Sequence, residues 1–113
     1  FVKTVATIER GWHLYSQKLE SDEGPLPTEI SFTESDSCSF LGSISESKPT
    51  EAYDKNFAMN VKYFEDMAVF TQKIIRKSDD PFSLNGKVNF MVCNDEMCLP
   101  PVDVVLKTLI GKK

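Results

Sequence analysis

The stretch VNFMVCNDEMCLPP, residues 88–101, contains the pattern that decides the fold class. Apolar residues recur at every second position in its first half: Val88, Phe90 and Val92. This two-residue period is typical of a β-strand. The polar residues 94–97 then interrupt the strand, and two prolines at its far end cannot donate backbone hydrogen bonds to a sheet. The segment therefore predicts a strand that ends in a small turn between Cys93 and Cys98.

The same two-residue period occurs along much of the chain. Strands are predicted at residues 2–8, 13–17, 28–32, 39–43, 68–74 and 102–110. Turn residues separate them, at 10–11, 22–27 and 79–81, and at Asn85-Gly86 before the strand that carries Cys93. No long amphipathic helix is indicated. Roughly seven short strands in this length predict an all-β, immunoglobulin-like β-sandwich.

Residues 46–60 form the longest stretch without a clear period. They are rich in Ser, Lys, Glu, Asp and Pro but include Tyr53 and Phe57. Loops of this length in compact domains are usually functional or disordered. The two aromatic side chains fit either a loop that packs on a functional site or a solvated connection with its rings at the edge of the core.

Size and charge limit the possible functions. The chain has 113 residues with 41% hydrophobic content, enough for one core, so residues 1–113 are interpreted as a single domain. It begins at Phe1 without an initiator Met, and it is interpreted as a piece of a longer product. The net charge is −4 and the Lys and Arg residues are scattered, so no nucleic-acid partner is expected. No run approaches the ~20 apolar residues of a membrane-spanning helix.

The spacing of Cys93 and Cys98 permits a disulfide if the chain reverses between them, because the two Cα atoms must approach within about 4.4–6.8 Å. A ring this small constrains the unfolded chain only modestly, and its stabilisation falls near the low end of about 2–4 kcal/mol. Such a bond is better suited to exchange than to holding a fold together. Redox chemistry is the favoured interpretation, and a structural disulfide is the alternative.

The local charge around this pair is negative. Asp95 and Glu96 lie between the two cysteines, and no Lys, Arg or His occurs within several residues. A thiolate is the attacking species in exchange, and nearby negative charge disfavours it. The free thiols are therefore expected to be largely protonated at neutral pH, and to react only when a partner docks. The two acidic residues fit equally well with a solvated polar turn.

Three segments together resemble the N-terminal periplasmic domain of the DsbD family of thiol:disulfide interchange proteins. They are residues 11–17 (GWHLYSQ), 24–27 (GPLP) and 93–101 (CNDEMCLPP). The resemblance covers nearly the whole chain, and its strongest element is the cysteine pair running into Pro-Pro. Two features depart from the family: members have five residues between the cysteines where this chain has four, and His13 stands where they carry a tyrosine.

The resemblance implies an immunoglobulin-like protein-disulfide reductase domain without a cofactor. It implies that the domain receives electrons from a membrane-embedded redox domain and passes them to thioredoxin-like periplasmic proteins, such as disulfide isomerases and cytochrome c maturation factors. By position, Cys98 is the nucleophile and Cys93 the resolving thiol. Residues 46–60 match the family's cap loop, with Phe57 or Tyr53 as the ring that shields the disulfide, and Tyr15 matches a tyrosine near the cysteines. The expected location is the periplasm, tethered to the inner membrane in the full-length protein.

Other chemistries remain open from the residues alone. Cys38, Cys93, Cys98 and His13 are a possible tetrahedral zinc set, although only the x₄ spacing of the pair fits the usual knuckles. A Cys/His hydrolase using His13 lacks a Gly-rich oxyanion turn. A binding or assembly module with an inert disulfide is the third alternative. Cys38 itself is expected to be a small buried strand residue.

Overall fold

The computed structural model describes residues 1–19 and 23–112, and these residues contain strands but no helix. The ten strands of this part of the chain are β1 (Val2–Thr7), β2 (His13–Tyr15), β3 (Glu29–Phe32), β4 (Cys38–Glu46), β5 (Thr50–Asp54), β6 (Met59–Phe64), β7 (Met67–Arg76), β8 (Phe82–Phe90), β9 (Val92–Cys93) and β10 (Val102–Ile110). The predicted all-β class is confirmed. No helix in the described part of the chain could span a membrane.

The strands form three sheets, and every pairing is antiparallel. The orders are β1-β7-β4, β10-β8-β3 and β5-β6-β2-β9. All three contribute to one apolar core, whose fully buried members are Leu14, Phe64, Ala68 and Phe70. Half-buried residues of β1, β3 and β8 pack against it, among them Ala6, Ile30 and Phe90. This is the predicted sandwich, built from ten strands rather than about seven.

The four-stranded sheet buries side chains on both faces. Leu14 pairs with Phe64 on one side and with Val92 on the other, so these three share one face and point into the main core. Because successive strand residues point to opposite faces, Tyr15 and Cys93 lie on the other face. There they form a second buried cluster with Val61 and Met91. This outer cluster carries the cysteine pair.

The prediction of an irregular stretch over residues 46–60 is wrong. The segment contains the last residue of β4, all of β5 and the start of β6. β5 pairs with β6 from Thr50 opposite Tyr63 to Asp54 opposite Met59, and the turn between them covers residues 55–58. β5 is an edge strand with three of its five residues exposed, so it lacks the apolar alternation that marks a buried strand. The stretch is a β-hairpin.

Asn85-Gly86 is not a turn, which corrects a second prediction. Both residues lie inside β8, opposite Lys107 and Leu106 of β10. Gly86 is also opposite Phe32 of β3, and a Cβ atom at Gly86 would lie 2.6 Å from the Phe32 ring and from the Ser31 carbonyl oxygen. The glycine therefore allows close approach of a neighbouring strand rather than a reversal.

The remaining predicted boundaries of strands and turns agree in part with the structure. The turn at residues 10–11 is present, with Gly11 at φ 91°, and residues 79–80 form the bend before β8. β2 ends at Tyr15 rather than at residue 17, β4 extends well beyond residues 39–43, and the strand through Val92 is broken at Met91. Of the turn predicted at residues 22–27, Asp22 lies outside the described residues.

Candidate functional site

Cys93 and Cys98 are joined by a disulfide, with their Cα atoms 4.0 Å apart. The chain reverses between them, because Asn94 N donates to Met97 O at 2.8 Å and Leu99 N donates to Val92 O at 3.0 Å. The six residues 93–98, here called the disulfide loop, thus continue the edge of the four-stranded sheet as a tight hairpin. This is the reversal that the spacing predicted.

Asn94 stabilises the disulfide loop from inside. Its Oδ1 accepts hydrogen bonds from the backbone N–H groups of Glu96 at 2.8 Å and Met97 at 2.7 Å. Asparagine favours such turns because its short side chain can replace a backbone acceptor. Asp95 and Glu96 themselves are exposed at the tip, so the acidic pair is solvated.

The two cysteines differ in exposure. Cys93 is completely buried in the outer cluster, whereas Cys98 is half-buried at its edge. A thiolate from another molecule approaches a disulfide from outside the protein, so exposure influences which cysteine is attacked. Cys98 is the more exposed cysteine of the pair.

Tyr15 forms the floor beneath the pair. It is fully buried, and its hydroxyl donates to Asp54 Oδ2 at 2.7 Å. Burial, followed by the hydrogen bond to Asp54 and the charge of that carboxylate, raises the pKa of Tyr15 well above its usual value of 10. Tyr15 is therefore an uncharged donor across the whole working range of pH.

Asp54 also shapes the turn above the pair, residues 55–58, here called the cap tip. Its Oδ1 accepts from the backbone N–H of Asn56 at 2.8 Å and of Phe57 at 3.3 Å. The turn closes with Ala58 in the left-handed region, at φ 54°. The buried carboxylate of Asp54 thus connects Tyr15 to the cap tip.

The two aromatic candidates for a shield lie in different surroundings. Phe57 is half-buried and packs on the outer cluster, which includes Cys93 and Cys98, with its ring edge-on to Tyr15 at a centroid distance of 6.5 Å. Tyr53 is 63% exposed, and it borders a small polar cleft that His13 and Asn94 also line. Of the two candidates, only Phe57 packs on the outer cluster.

His13 lies directly opposite Cys93 in the pairing of β2 with β9. Its ring stacks on Tyr63 with centroids 4.3 Å apart, and its Nε2 is 3.5 Å from Glu65 Oε1. Burial and the charge of Glu65 raise the pKa of Tyr63 above 10. His13, which departs from the tyrosine noted above, therefore places an imidazole beside the site, in contact with the Tyr63 ring and the Glu65 carboxylate.

Sequence reasoning missed several residues of this site: Asp54, Asn56, Tyr63 and Asn94. Asp54 and Asn94 each occur immediately before a polar turn, where Asp and Asn favour side-chain acceptance of backbone N–H groups. That signal was available in the sequence. The partnership of Asp54 with Tyr15 was not, because the two residues are 39 positions apart and meet only through the sheet.

The zinc alternative has no support in the geometry. Two of its four ligands are bonded to each other as a disulfide, and Cys38 is a buried free cysteine at the start of β4, in a different sheet. Within residues 1–19 and 23–112, no group of three or more His, Cys, Asp or Glu side chains could hold a metal ion. The burial expected for Cys38 is confirmed.

Comparisons with known proteins identify the family and the fold of the chain. The family model for the N-terminal part of the thiol:disulfide interchange protein DsbD matches residues 2–110. The fold is similar to a crystal structure of the Neisseria meningitidis DsbD N-terminal domain in the reduced form, with a TM-score of 0.64 and 17% sequence identity. That match covers 98% of this chain and 81% of the other. No curated protein sequence matches significantly.

The structural likeness, at this low identity, establishes the fold as the immunoglobulin-like sandwich. The family model covers far more than half of the chain and includes every strand. The chain therefore belongs to the family of DsbD N-terminal domains and is a thiol–disulfide exchange domain.

Proposed function

We propose that this domain is a protein-disulfide reductase module whose redox centre is the Cys93–Cys98 pair. The observation that carries the proposal is the unequal exposure of the two bonded cysteines: Cys98 is half-buried, and Cys93 is fully buried. A bond that only held the fold together would not need one cysteine to be more exposed than the other.

The greater exposure of Cys98 assigns a role to each cysteine in this proposal. In the reduced domain the Cys98 thiolate attacks a disulfide of the partner, forming a mixed disulfide while the partner's other sulfur leaves as a thiolate and takes up a proton. Cys93 then loses its proton and attacks Cys98 Sγ. The Cys93–Cys98 bond forms again and the partner's second thiol is released. The partner gains two electrons and the domain returns to its oxidised state.

The surroundings of the pair favour slow reaction in the free domain. Asp95 and Glu96 lie within the disulfide loop, Asp54 is buried nearby, and Tyr15 is uncharged. With acidic neighbours, the Cys98 thiol of the reduced domain is expected to be mainly protonated at neutral pH. A measured thiol pKa below about 7 in the isolated reduced domain would contradict this part of the proposal.

Phe57 is the shielding ring in this proposal, and Tyr53 is not. Phe57 packs on the cluster that holds both cysteines, whereas Tyr53 is mostly exposed. A ring over the sulfurs limits attack by small thiols, while a docked protein can displace the cap tip. His13 and Tyr63 border the cleft beside the pair and complete the near side of the site.

The proposed partners follow from family membership. We infer that the domain accepts electrons from a membrane-embedded redox domain and reduces thioredoxin-like periplasmic proteins, with disulfide isomerases and cytochrome c maturation factors as clients. The proposed location is the periplasm, where a longer protein containing this domain is tethered to the inner membrane. The acidic charge of −4 and the scattered cations are compatible with protein partners and unfavourable for nucleic acid.

Trapping the mixed disulfide tests the cysteine roles. The Cys93→Ala variant, incubated with an oxidised thioredoxin-like protein, should accumulate an adduct through Cys98 because the resolving thiol is missing. The Cys98→Ala variant is the matched control, and it should form little adduct because Cys93 is buried. An adduct through Cys93, with none through Cys98, would reverse the assignment.

The reduction potential separates exchange from a structural role. A potential below about −300 mV would indicate a bond too stable for exchange with the thiol pool, and a binding or assembly module with an inert disulfide would then be the better interpretation. The proposal expects a higher value. Equilibration of the domain with glutathione or dithiothreitol mixtures of known ratio gives this measurement.

A further inference from the structure

In the described part of the chain, one side-chain hydrogen bond joins the cap tip to the disulfide loop. Asn56 Nδ2 donates a hydrogen bond to the Asn94 carbonyl oxygen at 2.8 Å. Within residues 1–19 and 23–112, no other side-chain hydrogen bond joins the cap tip to the loop. Asn94 is the residue that follows Cys93, so the bond connects the cover of the site directly to the segment that carries the sulfurs.

The cap tip is therefore fixed at two points. Its near end is held by Asp54, which is buried and also accepts from Tyr15, so this end belongs to the core of the site. The second attachment is the exposed side chain of Asn56, whose own backbone N–H also bonds to Asp54. Phe57 follows Asn56 directly, and its position over the outer cluster depends on both attachments.

We propose that Asn56 is a positioning residue that latches the cap tip over Cys98 and thereby sets how often the sulfurs are exposed. The inference deepens the proposed function and rests on it. An exposed hydrogen bond to a backbone carbonyl contributes modestly to stability, so the closed state dominates while the open state is still visited. A docking partner displaces the amide and so releases the cap tip from the disulfide loop, while the hydrogen bonds to Asp54 and the fold remain.

Replacement of Asn56 tests the latch. Asn56→Asp keeps the size of the side chain but replaces the donor with a carboxylate, which repels the carbonyl oxygen, and Asn56→Ala removes the side chain. Both variants should be reduced by dithiothreitol about two- to tenfold faster than the wild type, the range that corresponds to one modest hydrogen bond. Re-oxidation by oxidised dithiothreitol should accelerate by the same factor, leaving the redox equilibrium unchanged, and the melting temperature should fall by only a few degrees because one modest hydrogen bond is lost.

Asn60→Asp is the matched control. Asn60 is an exposed residue of the same hairpin, in β6, so the variant introduces the same charge without touching the contact with Asn94. Its reduction rate should equal that of the wild type. If Asn60→Asp is accelerated as much as Asn56→Asp, charge on the hairpin explains the effect and the latch is refuted.

The Phe57→Ala variant distinguishes the latch formed by Asn56 from the shielding role of the Phe57 ring. Faster reduction in Phe57→Ala with unchanged rates in both Asn56 variants would overturn the latch and leave the shielding role intact. Unchanged rates in all three variants would overturn both. Acceleration of both directions in the Asn56 variants supports the latch, because loss of stability in one redox state alone would shift the equilibrium instead.

Discussion

The two faces of the four-stranded sheet are both buried, but by different means. On the inner face, Leu14 and Phe64 pack into the apolar core shared by all three sheets, and Phe64 meets Phe70 edge to face at 5.7 Å. On the outer face, Tyr15 and Cys93 are covered by one hairpin tip and a network of hydrogen bonds through Asp54. Both faces bury apolar side chains, and the outer face adds directed hydrogen bonds through Asp54.

This difference explains how one small domain can hold its fold and still expose a reactive bond. Apolar contacts in a packed core are numerous and cooperative, so the inner face opens only when the whole domain unfolds. The cap tip is attached by a small number of hydrogen bonds, each of modest energy, so under the proposed latch it opens locally. Stability and reactivity are thus assigned to opposite faces of the same strands.

The largest expected effect is on the inner face. Phe64→Ala should lower the free energy of unfolding by about 3–5 kcal/mol, because it removes a large side chain that is only 3% exposed and leaves a cavity. Urea denaturation of the oxidised protein measures the change. The rate of disulfide reduction in the folded variant should stay near the wild-type value. A strong rise in that rate under native conditions would show that the two faces are not independent.

Tyr15→Phe tests the network of the outer face. The variant keeps the ring but leaves Asp54 Oδ2 without its donor, which should cost about 1–3 kcal/mol of unfolding free energy. Tyr53→Phe is the matched control, because it removes a hydroxyl from a ring that is mostly exposed. Equal stability of the two variants in urea would show that the hydrogen bond between Tyr15 and Asp54 contributes nothing measurable.

Alkaline pH should weaken the outer face through the same residue. An unfolded tyrosine releases its proton near pH 10, whereas burial raises the pKa of folded Tyr15 well above 10, so the folded state keeps the proton. Above pH 10 the folded state binds more protons than the unfolded state, and stability falls as pH rises. By pH 11 the loss from Tyr15 should be about 1 kcal/mol.

Unfolding curves at pH 9 and pH 11 measure this loss, and Tyr15→Phe should show a smaller decline than the wild type. Tyr63 acts in the same direction, since its pKa is also raised, so some decline remains in the variant. Identical declines in the two proteins would mean that Tyr15 ionises in the folded state as easily as in the unfolded chain.

The sequence predicted those features of the fold and the site that depend on residues close together in the chain. The strand, the turn and the cysteine pair lie within one short stretch, so spacing alone indicates the reversal between Cys93 and Cys98. The alternation of Ala68, Phe70 and Gln72 likewise identifies a buried strand face, because each of the three is buried in β7. Period and turn chemistry were sufficient at these positions.

Pairing between distant strands was not predictable in the same way. The sequence pattern predicts a loop at the edge strand β5, because most of its positions face solvent and carry polar residues. Asn85-Gly86 has the local preference of a hairpin turn, but pairing with β10 and β3 on both sides overrides that preference. The contact of Asp54 with Tyr15 depends on sheet register, which no local pattern reveals.

The smallest expected effect distinguishes the two aromatic residues of the hairpin. Tyr53→Ala should change the unfolding free energy by less than about 0.5 kcal/mol and leave the rate of reduction by dithiothreitol unchanged, because the ring is 63% exposed and lies away from the outer cluster. Phe57→Ala should raise that rate, since its ring packs on the cluster of both cysteines. A rate increase in Tyr53→Ala equal to that in Phe57→Ala would assign the cover to the whole hairpin rather than to the Phe57 ring. The outer face would then resemble the inner one, because the whole hairpin surface, rather than the Phe57 side chain and its attachments, would protect the disulfide.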